Sequence, residues 1–497
     1  MVQDTGLGQE MFVAAYDRFE DNRKQTVCYR YTDDAIDVEE HLGQNGVPNE
    51  YLGERSIMYC VSPPGESRWV KDHHDHSDLS TVMDRMQLKD GNEGVVARKY
   101  PLPGEPHLPV IVKFYNATEN VTVGQLIQVV GVLGNPVEPE PVMEGFDSPL
   151  APFTGMPVMH AITYWPLSDH LKSPFNASDL ADMPPQARDI RPQLIDHIAT
   201  AFGGDKLVAE FILLQLLAKV TAKNRGVKIG QLTLNVANFC QSQDQESKKE
   251  SSALEFTNPA SRRVFSLISN LVLHAVPLPL SLEVLNKVIF RPKSVNESLQ
   301  AGVLQLVDGT TLVVDETVLS EGTLGDNGVR NIQALNNVIV SQTLAYEFPY
   351  SQFDFDTDLG IIVLSSTKSM LPSHCVVPLE AAYPLAEANE DDFGAVSKDT
   401  LRLFRTFIQA AKTLDYEIPE HVSEYIQDAF VQNRKAATTE GRKLLSQEDL
   451  MLRMNLARLI AVSFGETSLT KEIYDHATKL DEARLARLES QQQVVGK

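Results

Sequence analysis

Ala301-Gly302-Val303-Leu304-Gln305-Leu306-Val307-Asp308-Gly309-Thr310-Thr311-Leu312-Val313-Val314-Asp315-Glu316 is the stretch that decides the fold. An apolar run meets an Asp308-Gly309 turn, and a second apolar run ends in two carboxylates. Asp-Gly marks a tight turn because Gly accepts a left-handed backbone without steric cost. A short, continuous aliphatic run bounded by such a signal reads as a strand buried on both faces.

Similar strands stand on either side of it. Gly230 to Ala237 and Gly360 to Ser366 have the same character. Between them lie helical patterns. Ile190 to Phe202 carries Leu194, Ile195, Ile198 and Phe202 at helical spacing, and Gly203-Gly204-Asp205 stops it. Leu207 to Val220 is apolar nearly all round, hence a buried helix, and Arg263 to His274 and Val329 to Ser341 read as helices too. Strands alternating with helices predict an α/β domain with a largely parallel sheet over residues 188–390. Residues 391–497 read as a helical bundle, with periodic apolar positions in Leu401 to Leu414, Val422 to Phe430 and Leu450 to Val462, and a charged amphipathic helix from Ser468 to Arg487.

The first 135 residues are different. Met11 to Tyr16, Ser56 to Val61, Val110 to Tyr115 and Leu126 to Leu133 are short strands with turn signals between them. They predict a small barrel of the oligonucleotide/oligosaccharide-binding (OB) type, interrupted by a polar insert near residues 71–95. Residues 136–187 read as a Pro-rich acidic linker in which Pro157 to Tyr164 adds an edge strand.

At 497 residues the chain accommodates about three domains. A formal net charge of -23 disfavours unaided binding to a phosphate backbone, where Lys and Arg supply most of the affinity. It suits partners with basic surfaces. Cys28, Cys60, Cys240 and Cys375 are scattered without a C-x-x-C pair, as in a reducing compartment. The start lacks the basic and apolar regions of a signal peptide, and the apolar run at Leu207 to Val220 is too short to span a bilayer.

A buried strand ending in Asp-Glu is how P-loop ATPases present a metal-binding Asp and a water-positioning Glu. Such an enzyme also needs a glycine-rich loop whose amides cradle the phosphates and whose Lys neutralises them. After Asn235-Val236-Ala237 comes Asn238-Phe239-Cys240-Gln241-Ser242, and no G-x-x-x-x-G-K-[ST] occurs in the chain. Nothing then offsets a triphosphate, which Asp315 and Glu316 would repel. The alternative is a carboxylate pair that caps the next helix. Ser366-Thr367-Lys368 is a weak match to the polar sensor expected after the neighbouring strand. Lys71-Asp72-His73-His74-Asp75-His76-Ser77-Asp78 has metal-ligand residue types, but adjacent His in a polar run rarely converge, and a solvated loop is the reading adopted. His160 and His274 lie in apolar surroundings and read as core histidines. G-x-S-x-G and H-E-x-x-H are absent, and no cysteine carries a protease signature.

Ala301 to Thr310 followed by Leu312 to Thr317 resembles the core signature of the minichromosome maintenance complex-binding protein family. In the same order follow resemblances at Tyr59-Cys60-Val61-Ser62-Pro63-Pro64-Gly65-Glu66-Ser67-Arg68-Trp69-Val70, Leu102-Pro103-Gly104-Glu105, Val112 to Tyr115, Leu207 to Phe211, Ile229 to Asn235, Gly328 to Asn331 and Met370-Leu371-Pro372. The α/β part also looks like a degenerate, AAA+-like copy of the minichromosome maintenance helicase ATPase domain, with a helical lid after Leu401 but without the phosphate loop. The resemblance implies a non-enzymatic nuclear protein without cofactor or metal. It would associate with minichromosome maintenance helicase subunits, touch chromatin only indirectly and bind neither DNA nor membrane directly. It would assist subunit assembly and removal of the complex from chromatin, supporting DNA replication and sister-chromatid cohesion. Asp315 and Glu316 would be a remnant of the acidic strand end. Subunit contacts are expected on the α/β domain and lid. Family members carry an extension before the segment that begins at Met1 and a longer acidic insert, so the first barrel strand is expected to be missing here. An active ATPase and a single-strand-binding module acting through the barrel remain the competing functions.

Overall fold

The computed structural model describes residues 1–20, 23–34, 48–74, 93–115, 121–138, 150–167, 174–224, 227–239, 254–295, 298–385, 396–440 and 444–495. Its N-terminal part is a six-stranded sheet built from β1 (Val2–Asp4), β2 (Gln9–Val13), β5 (Leu52–Val61), β6 (Pro109–Phe114), β7 (Ile127–Leu133) and β8 (Val158–Pro166), with a separate hairpin of β3 (Ala15–Glu20) and β4 (Arg23–Cys28). The order is β1-β5-β6-β8-β7, with β2 also on β5. β6 and β8 run parallel, whereas the other pairs are antiparallel. The sheet curls until its ends meet. Val2 N donates to Gln125 O at 2.9 Å, and Gly124 N donates to Val2 O at 2.8 Å, just before β7. β5 shows why both faces are covered. Ile57, Tyr59 and Val61 enter one apolar cluster while Met58 and Cys60 enter another, which follows from the two-residue period of a strand.

Two expectations need correction. The segment expected to add an edge strand forms β8, which lies between β6 and β7, because buried Val158, His160 and Ala161 need a neighbour on each side. The supposed linker also ends in structure: helix α3 (Ala177–Ala181) and the turn after it bury Leu180 and Met183 in the main core. Most of the polar insert lies outside the described residues, between α1 (Arg68–His74) and α2 (Glu93–Arg98).

The second sheet is wholly parallel. It contains β11 (Thr233–Ala237), β12 (Ala275–Pro279), β15 (Thr311–Asp315), β18 (Gly360–Leu364) and β19 (Cys375–Pro378), in the order β12-β15-β18-β11-β19. Every residue of β11 and of β15 is buried, as the aliphatic runs require. Alternate side chains go to opposite layers. Val313, Ile362 and Leu364 pack with α4 (Ala187–Ala199), α5 (Lys206–Leu217) and α6 (Pro259–Leu271), whereas Leu312, Val314, Ile361 and Val363 pack with α7 (Leu282–Lys287) and α8 (Asp326–Ser341). The Asp308-Gly309 turn forms as read: Gly309 has φ 86 and Asp308 accepts from Asp358 N at 2.9 Å.

Two smaller sheets flank this one. β9 (Ala222–Asn224) pairs with β10 (Val227–Ile229), and β13 (Lys293–Val295), β14 (Ser298–Gln300), β16 (Thr343–Phe348) and β17 (Ser351–Asp356) form a sheet in the order β14-β13-β16-β17. The described residues of the tail form α9 (Lys398–Thr413), α10 (Glu420–Glu440), α11 (Gln447–Ser463) and α12 (Lys471–Val495), joined by short non-helical segments.

A strap ties the N-terminal sheet to the parallel one. Ala275 N donates to Gly65 O and Ser67 N to Leu273 O, both at 2.8 Å, so the strap runs along the β12 edge. Gly65 is required: its φ is 70 and a Cβ would fall 2.4 Å from Val276 Cγ2. Trp69 then donates its indole N–H to Ser269 O and Val272 O, stacks on Phe175, and carries the Arg405 guanidinium 4.3 Å above its ring.

Candidate functional site at the carboxyl edge of the parallel sheet

Asp315 ends β15 and is fully buried; Glu316 follows it and is nearly so. Asp315 Oδ1 accepts from Thr317 N at 2.9 Å and from Thr317 Oγ1 at 2.6 Å. The Thr317 hydroxyl accepts in turn from Asn258 Nδ2 at 2.9 Å. Asn258 is the N-cap of α6, and its Oδ1 takes Ala260 N at 3.0 Å. The carboxylate therefore staples the end of β15 to the start of α6. Ser261, fully buried in the first turn of that helix, belongs to the same packing, and neither its hydroxyl nor Asp315 Oδ2 has a hydrogen bond of ordinary geometry.

Burial pushes the Asp315 carboxyl above the usual carboxylate range, against the pull of the Thr317 and Ser261 hydroxyls and the Thr317 amide. Glu316 is pushed up in the same way, with the Ser369 hydroxyl and the Met370 and Leu371 amides holding it down and Asp315 adding to the rise. No cation faces the pair in these interactions. An open phosphoryl-transfer site has the opposite balance, with cationic groups and metal ions on the phosphates.

The chain leaving β11 is also used for packing. Asn238 takes a left-handed φ of 59, and Phe239 turns into the core with its amide on Ser365 O at 2.9 Å. Residues 240–253, where a phosphate loop would continue, lie outside the described residues. Ser365 Oγ donates to Asn235 Oδ1 at 2.8 Å, so this polar group just after β18 is also satisfied internally.

Asp205 is a functional-looking carboxylate that sequence reasoning took only for a helix stop. It caps α5 by accepting from Leu207 N at 3.0 Å and Val208 N at 3.2 Å, and it accepts Glu380 N at 2.9 Å. Arg487 of α12 grips both its oxygens, at 2.6 and 3.1 Å, and reaches Pro378 O at 3.0 Å. Arg484 contacts Val376 O and Asp481. The tail arginines nearest this edge are thus held inside the protein.

The remaining candidates are dispersed. His73 sits in α1, while Asp75, His76 and Asp78 lie outside the described residues. Among the described residues no group of three His, Cys, Asp or Glu converges on a metal position. His160 is fully buried, with Nδ1 2.7 Å from the Tyr115 hydroxyl, and burial lowers its pKa. His274 is buried beside β12. No helix among the described residues is long and apolar enough to cross a membrane.

Fold and site together define a mixed α/β protein of several sheets with a C-terminal helical set, whose strand-end carboxylates hold its own elements together. The model of the family described as mini-chromosome maintenance replisome factor matches residues 1–93 and 83–488, and the chain belongs to that family. It is similar along its length to proteins named mini-chromosome maintenance complex-binding protein. The Salmo salar protein is 27% identical over 99% of this chain and 88% of its own length. The Arabidopsis thaliana protein is 26% identical over 98% and 87%, and the Homo sapiens protein 24% over 100% and 89%.

Proposed function

We propose that this protein is a non-catalytic binding partner of the minichromosome maintenance helicase. The observation that carries the reading is the end-to-end likeness to proteins named for binding that complex. In this reading it works in the nucleus, assists assembly and stability of helicase subunits and removal of the complex from chromatin, and so supports DNA replication and sister-chromatid cohesion.

The architecture supports a degenerate ATPase-like domain over residues 188–390 with a lid over 391–497. Asp315 and Glu316 stand at the end of a parallel strand that one strand, β18, separates from β11. The Thr317 bonds of Asp315, and the Asn258 bond to the Thr317 hydroxyl, support a remnant that now serves packing. The strand order β1-β5-β6-β8-β7, with the run into β7 bonded back to β1, supports an OB-like barrel at the N-terminus.

The test uses purified full chain and recombinant helicase subunits. Recovery of a subunit at physiological salt, together with no ATP binding at micromolar concentration, is the expected result. Micromolar ATP binding abolished by Asp315→Ala would reinstate an enzyme. Retention of single-stranded DNA with no subunit recovered would assign the barrel to nucleic acid instead.

A further inference from the structure

We infer that the β16–β17 hairpin is the element that docks into the partner, its aromatic tip entering an apolar groove rimmed by basic residues on a helicase subunit. The inference rests on the function proposed above. One face of the hairpin runs out of the core into solvent. Leu344 is 1% exposed and Tyr346 3%, then Phe348 is 38%, Phe353 56% and Tyr350 fully exposed. Across the strands Leu344 lies opposite Phe355 and Tyr346 opposite Phe353, while Phe348, opposite Ser351, meets Phe353 on the diagonal, so the apolar face continues from the core to these two rings. Phe348 and Phe353 meet edge to face at 5.7 Å and present the two sides of the tip. Single exposed apolar residues are ordinary on a protein surface, but three aromatic rings clustered on a projecting turn are not. Aromatic anchors of this kind dominate binding energy in protein interfaces.

The hairpin is held rigid from its base. Gln342, at φ 49, donates Nε2 to Leu359 O at 3.0 Å and accepts Leu359 N at 2.7 Å. Arg291 pairs with Glu347 at 2.6 Å, and Lys228 with Asp356 at 2.7 Å.

Charge selects the occupant. The tip itself, Phe348 to Asp354, carries no Lys or Arg and one exposed carboxylate, Asp354, whereas Glu347 and Asp356 nearer the base are paired with Arg291 and Lys228. Aromatic side chains can stack on bases, but a nucleic-acid site pairs them with cations that follow the backbone. An aromatic tip beside exposed Asp354, on a chain of net charge -23, is complementary to a polypeptide groove with Lys and Arg at its rim.

The experiment compares the full-length wild type with Tyr350→Ser/Phe353→Ser and with Asp354→Lys, each immobilised and titrated with purified helicase subunits. The double variant is expected to bind at least about tenfold more weakly with an unchanged unfolding transition, because both side chains are exposed. Asp354→Lys is expected to slow association at low salt and to do so less at high salt. Wild-type binding with the double variant within about twofold of it overturns the hairpin assignment and leaves the binding function standing. A wild type that binds no subunit overturns both. Sedimentation velocity supplies the last outcome: a dimer of this chain that disappears in the double variant makes the occupant a second copy and overturns the assignment to a partner.

Discussion

Replacing Asp315 separates a packing carboxylate from a working one. In Asp315→Ala the Thr317 amide and hydroxyl lose the oxygen they share at 2.9 and 2.6 Å. A buried donor without an acceptor costs about 1–3 kcal/mol, and the hydroxyl partly recovers by rotating. Removing a buried carboxylate that resists ionisation offsets part of this. A net loss of about 2 kcal/mol is expected. In Asp315→Asn the amide oxygen keeps both Thr317 bonds, and the amide nitrogen replaces Oδ2, which together with Ser261 Oγ lacks a bond of ordinary geometry. That variant should match or exceed the wild type. The sign with pH follows from the raised carboxyl. A folded pKa above the unfolded one means that the native state holds the proton more tightly. The associated stability is complete below the ordinary value of about 3.9 and is lost as pH rises through the native value. The Asn variant has no such loss, so its advantage should be nil near pH 4 and grow to a plateau above the native pKa. Glu316, raised in the same direction, stays in both proteins but is freed of the Asp315 charge in the Asn variant, which adds to that variant's advantage above the native pKa. Denaturant unfolding of both variants and the wild type between pH 4 and 8 measures the difference. Two results would refute a packing role: Asp315→Asn weaker than wild type by more than about 1 kcal/mol at pH 8, or magnesium stabilising the wild type and not the variant.

Three further outcomes are expected. Trp69→Ala removes the Arg405 and Phe175 contacts and both indole hydrogen bonds; it should cost about 3 kcal/mol and detach the N-terminal sheet first, read as early proteolysis between residues 62 and 75. Asp481→Ala leaves Arg453 and Arg484 buried without their carboxylate and should cost about 3–5 kcal/mol, with hydrogen exchange rising along Lys471–Val495. Burial pushes the Cys375 thiol up to about 12 and Cys60 to about 11, so at pH 8 iodoacetamide should label exposed Cys28 in the native protein and reach Cys60 and Cys375 only after unfolding, as peptide mass spectrometry will report.

The sequence reveals structure where one physical signal dominates. β15, β11 and β18 are aliphatic runs between turn signals, and α5 is too apolar to lie anywhere but inside. β12 is hidden because Ala275-Val276-Pro277-Leu278-Pro279 carries two prolines, which argue against a strand in a sheet interior. The sheet places it at an edge, where prolines are tolerated. β17 is hidden because Phe353 and its neighbours have no core to alternate against, and β16 alternates only through Leu344 and Tyr346, too short a run to stand out. At the site, Asp315 and Glu316 are legible as a strand end. Their use is not, since Thr317 lies two residues away but Asn258 is 57 earlier in the chain (315 − 258). Asp205 illustrates the same limit: its capping role is local, whereas its grip on Arg487 spans 282 residues.

A sealed strand end and a projecting hairpin belong to one physical account. A site that binds a triphosphate must stay open, solvated and cationic, and its neighbouring elements must move when the ligand enters and leaves. Here the Asp315–Thr317–Asn258 chain and the Asp205–Arg487 clamp close that edge from two sides. The parallel sheet then becomes a rigid base. β16 grows from this base through the Gln342 bonds to Leu359, one residue before β18 begins. Rigidity has a measurable worth in binding. Fixing a residue's backbone costs about 1–2 kcal/mol, so a hairpin of fourteen residues, 343–356, ordered only on contact would lose much of its interaction energy. A hairpin already folded orders little beyond its aromatic side chains, at about 0.5–1.5 kcal/mol each. The closed strand end and the hairpin therefore share one support, because β15 ends at the carboxylates and its neighbour β18 directly follows the Leu359 that holds Gln342.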